Sequence, residues 1–146
     1  MIDLKAIDNR IKEIERRRSL LEDYKEIPYE EFVSDFSTYE LAIRHLQVAI
    51  QACIDIGTHI AAVKNFPEPS QASQVFTVLA RNKVISKDLA ERLNQAGGTR
   101  NIIVHEYLDI DLSIIYNIIQ NNLPDLERFV YEIGEYLKKE GGEENV

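Results

Sequence analysis

The sequence has a single cysteine and no long uncharged apolar run, and each of these features excludes certain classes of protein. Cys53 is the only cysteine in 146 residues, so neither an intrachain disulfide nor a cluster of thiolate metal ligands is possible. No apolar run approaches the roughly 20 residues of a membrane span. The amino terminus, with Asp3, Lys5 and Asp8, is not typical of a signal peptide. We therefore expect a soluble, cytoplasmic protein without a membrane segment.

Basic residues are also scarce, with 17 Lys and Arg against 25 Asp and Glu and a formal charge of −8. This balance argues against a protein that coats nucleic acid through a broad basic surface. It does not exclude an enzyme that contacts a few phosphates through a local positive site. Arg16, Arg17 and Arg18 form a basic cluster, which is either a solvated face beside abundant Glu or an RNA contact.

Apolar side chains recur at three- and four-residue steps along the chain, and we find no strand-like alternation. The pattern predicts an all-α bundle of about five helices with up-down packing, in a single domain over residues 1–146. The expected helices are 4–25, 37–60, 71–82, 87–107 and 112–137. Residues 65–70, with two prolines, are the clearest linker.

Several residues predict where helices begin and end. Pro28 ends the first helix and is followed by a turn through Phe32. A capping box starts the second helix at Ser37, although Pro28 could equally sit in its first turn, and Ser86 caps the fourth.

Gly97-Gly98 softens the fourth helix, which either bends there or ends, with Thr99 as the cap of a new helix. Asp109 or Asp111 caps the last helix, which Pro124 kinks or interrupts. Residues 138–146 read as a frayed acidic tail.

One short stretch, Arg100-Asn101-Ile102-Ile103-Val104-His105-Glu106-Tyr107, concentrates four hydrogen-bonding side chains. On a helix, Arg100 and Tyr107 lie near one another, and Asn101 and His105 form the neighbouring stripe. A permanent cation beside a side chain that transfers protons near neutral pH is typical of chemistry on a phosphate. No metal-ligand spacing appears, so we predict neither a metal nor a cofactor.

The same stretch resembles the Arg, four residues, His, one residue, Tyr motif of the HepT-type toxins, in the HEPN superfamily of small all-helical domains. Arg100, His105 and Tyr107 fill the three motif positions, and Asn101 matches the polar residue that commonly follows the Arg. Thr99 and the preceding Gly pair stand where family members often have a bulkier residue. The resemblance implies a two-fold dimer, and it implies the toxin of a type VII-like toxin–antitoxin pair.

The first functional hypothesis is a metal-independent endoribonuclease. RNA carries its own nucleophile, so His105 would transfer protons, Arg100 would bind the phosphate, and Asn101 would orient either the imidazole or the phosphate. Because one His cannot make both proton transfers at once, this chemistry favours two motifs facing one cleft in a homodimer. Arg44 and Gln47 belong to a polar stripe of the second helix that either faces solvent or supports this cleft.

Tyr107 is either a core phenol or a modification site. The resemblance implies that a cognate minimal nucleotidyltransferase antitoxin adds AMP groups to this tyrosine and so blocks RNA binding. A second hypothesis is a non-catalytic subunit that binds a nucleotide or the nucleotidyltransferase partner. A third is a helical structural protein in which His105 is a satisfied core residue. His45 and His59 read as satisfied or exposed histidines outside the site.

Overall fold

The computed structural model describes residues 1–71, 74–95 and 110–144, with side chains up to Gly141. These ranges are helical and contain no strand, which confirms the all-α prediction. The helical segments are α1 (Leu4–Tyr24), α2 (Tyr29–Ser34), α3 (Phe36–Val63), α4 (Val75–Arg81), α5 (87–95), α6 (Leu112–Asn121) and α7 (Leu123–Glu144). The expected number of about five helices is therefore too low.

The first additional helix is α2, which replaces the turn predicted after Pro28. Pro28 is its N-cap, and Phe32, completely buried, fixes it on the core. The next helix also begins earlier than predicted, because Asp35 rather than Ser37 is its cap. The Asp35 carboxylate accepts from the backbone N–H groups of Ser37 at 3.1 Å and Thr38 at 3.4 Å.

The second additional helix arises because Pro124 interrupts the last predicted helix. α6 ends with Asn122 as its C-cap, and α7 starts at Leu123 with Pro124 in its first turn, where a missing N–H costs little. Of the tail predicted to fray, residues 138–144 form the end of α7, and residues 145–146 lie outside the described residues. An ion pair between Glu140 and Lys64 ties this part of α7 to the end of α3.

The predicted linker at 65–70 is a non-helical connection, and α4 starts at Val75 instead of Gln71. α4 buries Val75, Phe76 and Leu79. A Cβ on Gly57 of α3 would approach the Leu79 side chain to 3.0 Å, so glycine permits close contact of α3 with α4.

α1 and α3 pack antiparallel. Asp3 contacts His59, Arg10 contacts Asp55, and Arg17 contacts His45, so residue numbers rise along one helix as they fall along the other. α7 runs in the same sense as α3, because Arg18 pairs with Glu127 near its start and Lys64 pairs with Glu140 near its end. These three helices confirm the up-down packing.

α3 supplies the largest share of the core. Its buried residues include Ile43, Leu46, Ile50, Cys53 and Ile60, whereas Phe36 in its first turn is 65% exposed. By length and composition, α3 is the one described helix that could cross a membrane, but 56% of its apolar window is buried inside the fold, as in the core helix of a soluble protein. Burial also raises the pKa of the Cys53 thiol, which keeps it protonated.

Candidate functional site

The four motif residues Arg100, Asn101, His105 and Tyr107 lie in residues 96–109, outside the described residues. We call residues 96–109 the motif segment. The predicted bend at Gly97-Gly98 and the alternative cap Asp109 also lie in this segment. The structure describes the helices on either side of it, the surface cavities that they line and the surroundings of the other histidines.

Ser86 fixes the start of α5, the helix that leads into the motif segment. Its hydroxyl accepts from the Leu89 backbone N–H at 3.3 Å, which confirms the predicted cap. Glu132 of α7 accepts the Ser86 backbone N–H at 2.6 Å, and Arg128 donates to the Ser86 hydroxyl at 2.8 Å. Arg128 also donates to Asp88 at 2.7 Å, and this bond lowers the pKa of the carboxyl. The first turn of α5 is thus tied to α7.

Asp111 fixes the start of α6, the helix that follows the motif segment. Its carboxylate accepts from the Ser113 hydroxyl at 2.5 Å and the Ser113 backbone N–H at 2.9 Å. These bonds, in that order, lower the pKa of Asp111. Of the two predicted caps, Asp111 is therefore confirmed.

A cavity of about 710 Å³ is lined by helices from both sides of the motif segment. Arg92 and Gln95 of α5 precede the segment, Ser113 and Asn117 of α6 follow it, and Tyr29 of α2 completes the wall. Sequence reasoning missed this cavity, because its residues come from three helices and form no local motif.

Arg44 and Gln47 line a separate groove of about 260 Å³ between α1 and α3. Arg10, Glu13 and Asp55 lie in the same groove, where Arg10 and Asp55 form an ion pair at 3.4 Å. Arg44 is exposed and forms no ion pair with another described residue. Arg44 and Gln47 therefore line the same groove. Their predicted role beside the motif stays a prediction.

His45 is a satisfied core histidine, as predicted. It is 6% exposed, and its Nδ1 lies 3.0 Å from Nη1 of Arg17. A guanidinium can only donate, so Nδ1 accepts and the imidazole is neutral. Burial, and then the positive charge of Arg17, lower the His45 pKa. His59 is also satisfied, since its Nε2 accepts the backbone N–H of Asp3 at 2.9 Å.

The basic cluster Arg16–Arg18 is occupied by acidic partners. Arg17 donates to Glu13 at 2.8 Å, Arg16 lies 3.6 Å from the same carboxylate, and Arg18 pairs with Glu127 at 2.9 Å. The Arg17 hydrogen bond also lowers the pKa of Glu13. These contacts favour pairing with Glu over RNA contact at this cluster.

No group of three or more His, Cys, Asp or Glu side chains capable of holding a metal ion occurs among the residues that the structure describes.

Comparison with known proteins decides the family. A model of the family described as Ribonuclease HepT-like matches residues 7–133, a range that includes the entire motif. The chain belongs to the HepT-like ribonuclease family. It is 36% identical over 100 residues to the mRNA nuclease HepT of Shewanella oneidensis, covering 68% of this chain and 75% of that protein. It is 29% identical over 131 residues to the tRNA nuclease HepT of Aphanizomenon flos-aquae, covering 90% and 89%.

A solved structure gives the same result for the fold. The tri-AMPylated HEPN toxin of Shewanella oneidensis, in complex with its MNT antitoxin, superposes with a TM-score of 0.81 at 32% identity, covering 92% of this chain and 99% of that one. The comparisons confirm the HEPN fold and the function class: the protein is a ribonuclease of the HepT-like toxin type.

The His45 contact predicts a pH dependence of stability. Because folding lowers the pKa of His45, the folded protein binds fewer protons at this imidazole than the unfolded chain does. Stability therefore falls as the pH drops below about 6.5, the ordinary pKa of histidine. We expect His45→Gln to lose less stability than the wild type between pH 7.5 and about 5.5, measured by urea unfolding. His59→Gln controls for the removal of a histidine, and equal pH slopes for wild type and His45→Gln would contradict the prediction.

Proposed function

We propose that this protein cleaves RNA without a metal ion, by attack of a 2′-hydroxyl on the adjacent phosphorus. The observation that carries the proposal is the complete motif Arg100-Asn101…His105-x-Tyr107 inside the range that matches the ribonuclease family. The RNA that it cleaves, and its action in the cytoplasm, are part of the proposal.

The chemistry needs a base, an acid and a positive charge. A base removes the 2′-hydroxyl proton, the 2′-oxygen bonds to phosphorus, and the bond from phosphorus to the 5′-oxygen breaks as an acid protonates that oxygen. The products are a 2′,3′-cyclic phosphate and a 5′-hydroxyl. His105 performs proton transfer, Arg100 binds the phosphoryl oxygens through paired N–H groups, and Asn101 orients the imidazole or the phosphate.

The proposal includes a two-fold dimer. One imidazole cannot be base and acid in the same step, and two motifs at a joint cleft supply two His105 side chains and two Arg100 side chains. The net charge of −8 disfavours RNA binding over a broad surface. A joint cleft in the dimer avoids this difficulty, because RNA would then contact only a local positive site. Binding would be weak and sensitive to salt.

The described helices support this function by holding both sides of the motif segment. Arg128 and Glu132 fix Ser86 at the start of α5, and Asp111 caps α6 directly after the segment. Active groups require supports of this kind, since small displacements lower catalytic rates sharply. Arg44, exposed and without an ion pair to another described residue, is available to support the cleft with Gln47, but their orientation towards it is a proposal.

We propose further that a minimal nucleotidyltransferase antitoxin controls the protein through Tyr107. The Shewanella toxin in complex with an MNT antitoxin carries three AMP groups. In the proposed reaction, the Tyr107 oxygen attacks the α-phosphorus of ATP held by the partner, and pyrophosphate leaves. The added phosphates place negative charge near Arg100 and His105, where they would compete with RNA.

The nuclease proposal predicts that His105→Ala lowers cleavage by about 10²- to 10⁴-fold, the usual contribution of acid–base catalysis. Purified, unmodified protein would be incubated with RNA in EDTA, and the new ends analysed for 2′,3′-cyclic phosphate. We expect wild type to give cyclic ends in EDTA and His105→Ala to retain its helicity and melting temperature.

Two results would oppose this proposal. No cleavage of varied RNAs by a folded, unmodified dimer would favour the non-catalytic subunit. A large loss of stability in His105→Ala would favour a core histidine.

The control proposal predicts that Tyr107→Phe cleaves RNA as the wild type does but escapes neutralisation. Phenylalanine keeps the ring and removes the oxygen that would accept AMP. Both proteins would be incubated with the partner, ATP and Mg²⁺, repurified, weighed by mass spectrometry and assayed with RNA. Addition of AMP to Tyr107→Phe, or its neutralisation without added mass, would show another modified residue or control by binding alone.

A further inference from the structure

The 710 Å³ cavity between α2, α5 and α6 has an unusual lining for so acidic a chain. The described residues around it include no Asp or Glu. They instead include five carboxamides, two tyrosines and one arginine: Gln95, Asn117, Gln120, Asn121, Asn122, Tyr29, Tyr116 and Arg92. These polar groups, which lie beside the apolar side chains of Ile114 and Ile118, suit a neutral ligand with hydrogen-bond donors and acceptors, and the volume lies within the range of small-ligand sites.

Three of the carboxamides, Asn117, Gln120 and Asn121, take part in hydrogen bonds within the protein and keep unused hydrogen-bonding atoms. Gln120 Nε2 donates to the Lys25 carbonyl at 3.2 Å, and Asn121 Nδ2 donates to the Asn117 carbonyl at 3.1 Å. The side-chain oxygens of Gln120 and Asn121 and the amide nitrogen of Asn117 have no described partner. Acceptors and a donor thus remain for a ligand.

Two tyrosines form an aromatic side of the cavity. The Tyr116 hydroxyl donates to the Ile27 carbonyl at 2.6 Å, which fixes its ring. The Tyr29 ring packs edge-on against it, with centroids 5.2 Å apart, and Tyr29 is 39% exposed. Tyr29, which is partly exposed and packs on the fixed ring of Tyr116, suits stacking of a flat ring from a ligand.

Arg92 supplies a positive charge that its acidic neighbours hold only loosely. Its Nε lies 3.4 Å from Asp88, its Nη1 lies 3.9 Å from Asp125, and its side chain is 49% exposed. The Nε contact is a long hydrogen bond and the Nη1 contact is too long for one, so the other N–H groups of the guanidinium remain for a phosphate.

We propose that this cavity binds one unpaired base of the substrate RNA, with Tyr29 stacking on the base, Asn117 contacting its edge and Arg92 contacting an adjacent phosphate. The lining complements three features of an unpaired nucleotide. These are the flat ring of the base, the hydrogen-bond donors and acceptors on its edge, and the negative charge of the neighbouring phosphate. The inference rests on the proposed ribonuclease function and adds to it a site that selects the sequence near the cleaved bond.

The test measures binding without cleavage. Fluorescent 2′-O-methyl RNA hexamers of A, C, G or U lack the nucleophile, and their affinity for the unmodified protein would be read by anisotropy at low salt. We expect Tyr29→Ala to bind about tenfold more weakly, as loss of one stacked base implies. Asn117→Ala should alter the ranking of the four hexamers.

Matched controls lie outside the cavity. Tyr131→Ala removes a tyrosine that is 66% exposed on α7, and it should bind as wild type does. If Tyr29→Ala is unfolded by its melting curve, Arg92→Gln replaces it. Arg92→Gln should weaken binding severalfold, whereas Arg81→Gln, an exposed arginine on α4, should not.

The outcomes separate this site from the nuclease proposal. Equal affinities of wild type and folded cavity variants would overturn the base site, as would equal losses in Tyr131→Ala and Tyr29→Ala, even if His105-dependent cleavage is found. Binding that depends on Tyr29 or Arg92 in a protein that cleaves no RNA would support the base site and contradict the nuclease.

Discussion

α3 packs along its length against α1 and also contacts α2, α4 and α7, so burial of its apolar face is the constraint on which the other helices depend. Small residues on α3 allow several helices to pack closely against it. Ala42, Ala49 and Ala52 are buried, and Gly57 leaves room for side chains of α4. The ends of the bundle are then joined by polar contacts, of which Lys64 with Glu140 is one. α5 and α6, which flank the motif segment, are placed on this frame by Ser86 and by the Tyr116 contact with Ile27.

Charge is distributed so that several arginines serve the fold. Arg16, Arg17 and Arg18 pair with carboxylates, and Arg128 joins α7 to the start of α5. Surface pairs of this kind add little stability individually, but they withdraw positive charge from RNA. With a chain charge of −8, RNA recognition by the proposed ribonuclease would depend on a few positions, and we propose the loosely held Arg92 as one of them.

Helical periodicity predicted the fold class and the long helices α1 and α3 correctly, because burial on one face repeats every three or four residues. It failed where a single side chain decides a boundary: the Asp35 carboxylate starts α3 before the capping box, and burial of Phe32 makes a helix of the expected turn. Motif spacing identified the candidate catalytic residues, since these lie within eight consecutive positions. It could not identify the cavity, which combines Tyr29, Arg92 and Asn117 from separate helices.

The central claim is that the substrate's own 2′-hydroxyl is the nucleophile, and one altered oligonucleotide tests it most directly. After the cleaved bond of an RNA has been mapped, the same RNA would be made with a single 2′-deoxyribose on the 5′ side of that bond. The account predicts that cleavage at this bond is abolished while binding is retained, because no other group replaces the nucleophile. Cleavage of the deoxy bond at the original rate would contradict the account and indicate attack by water.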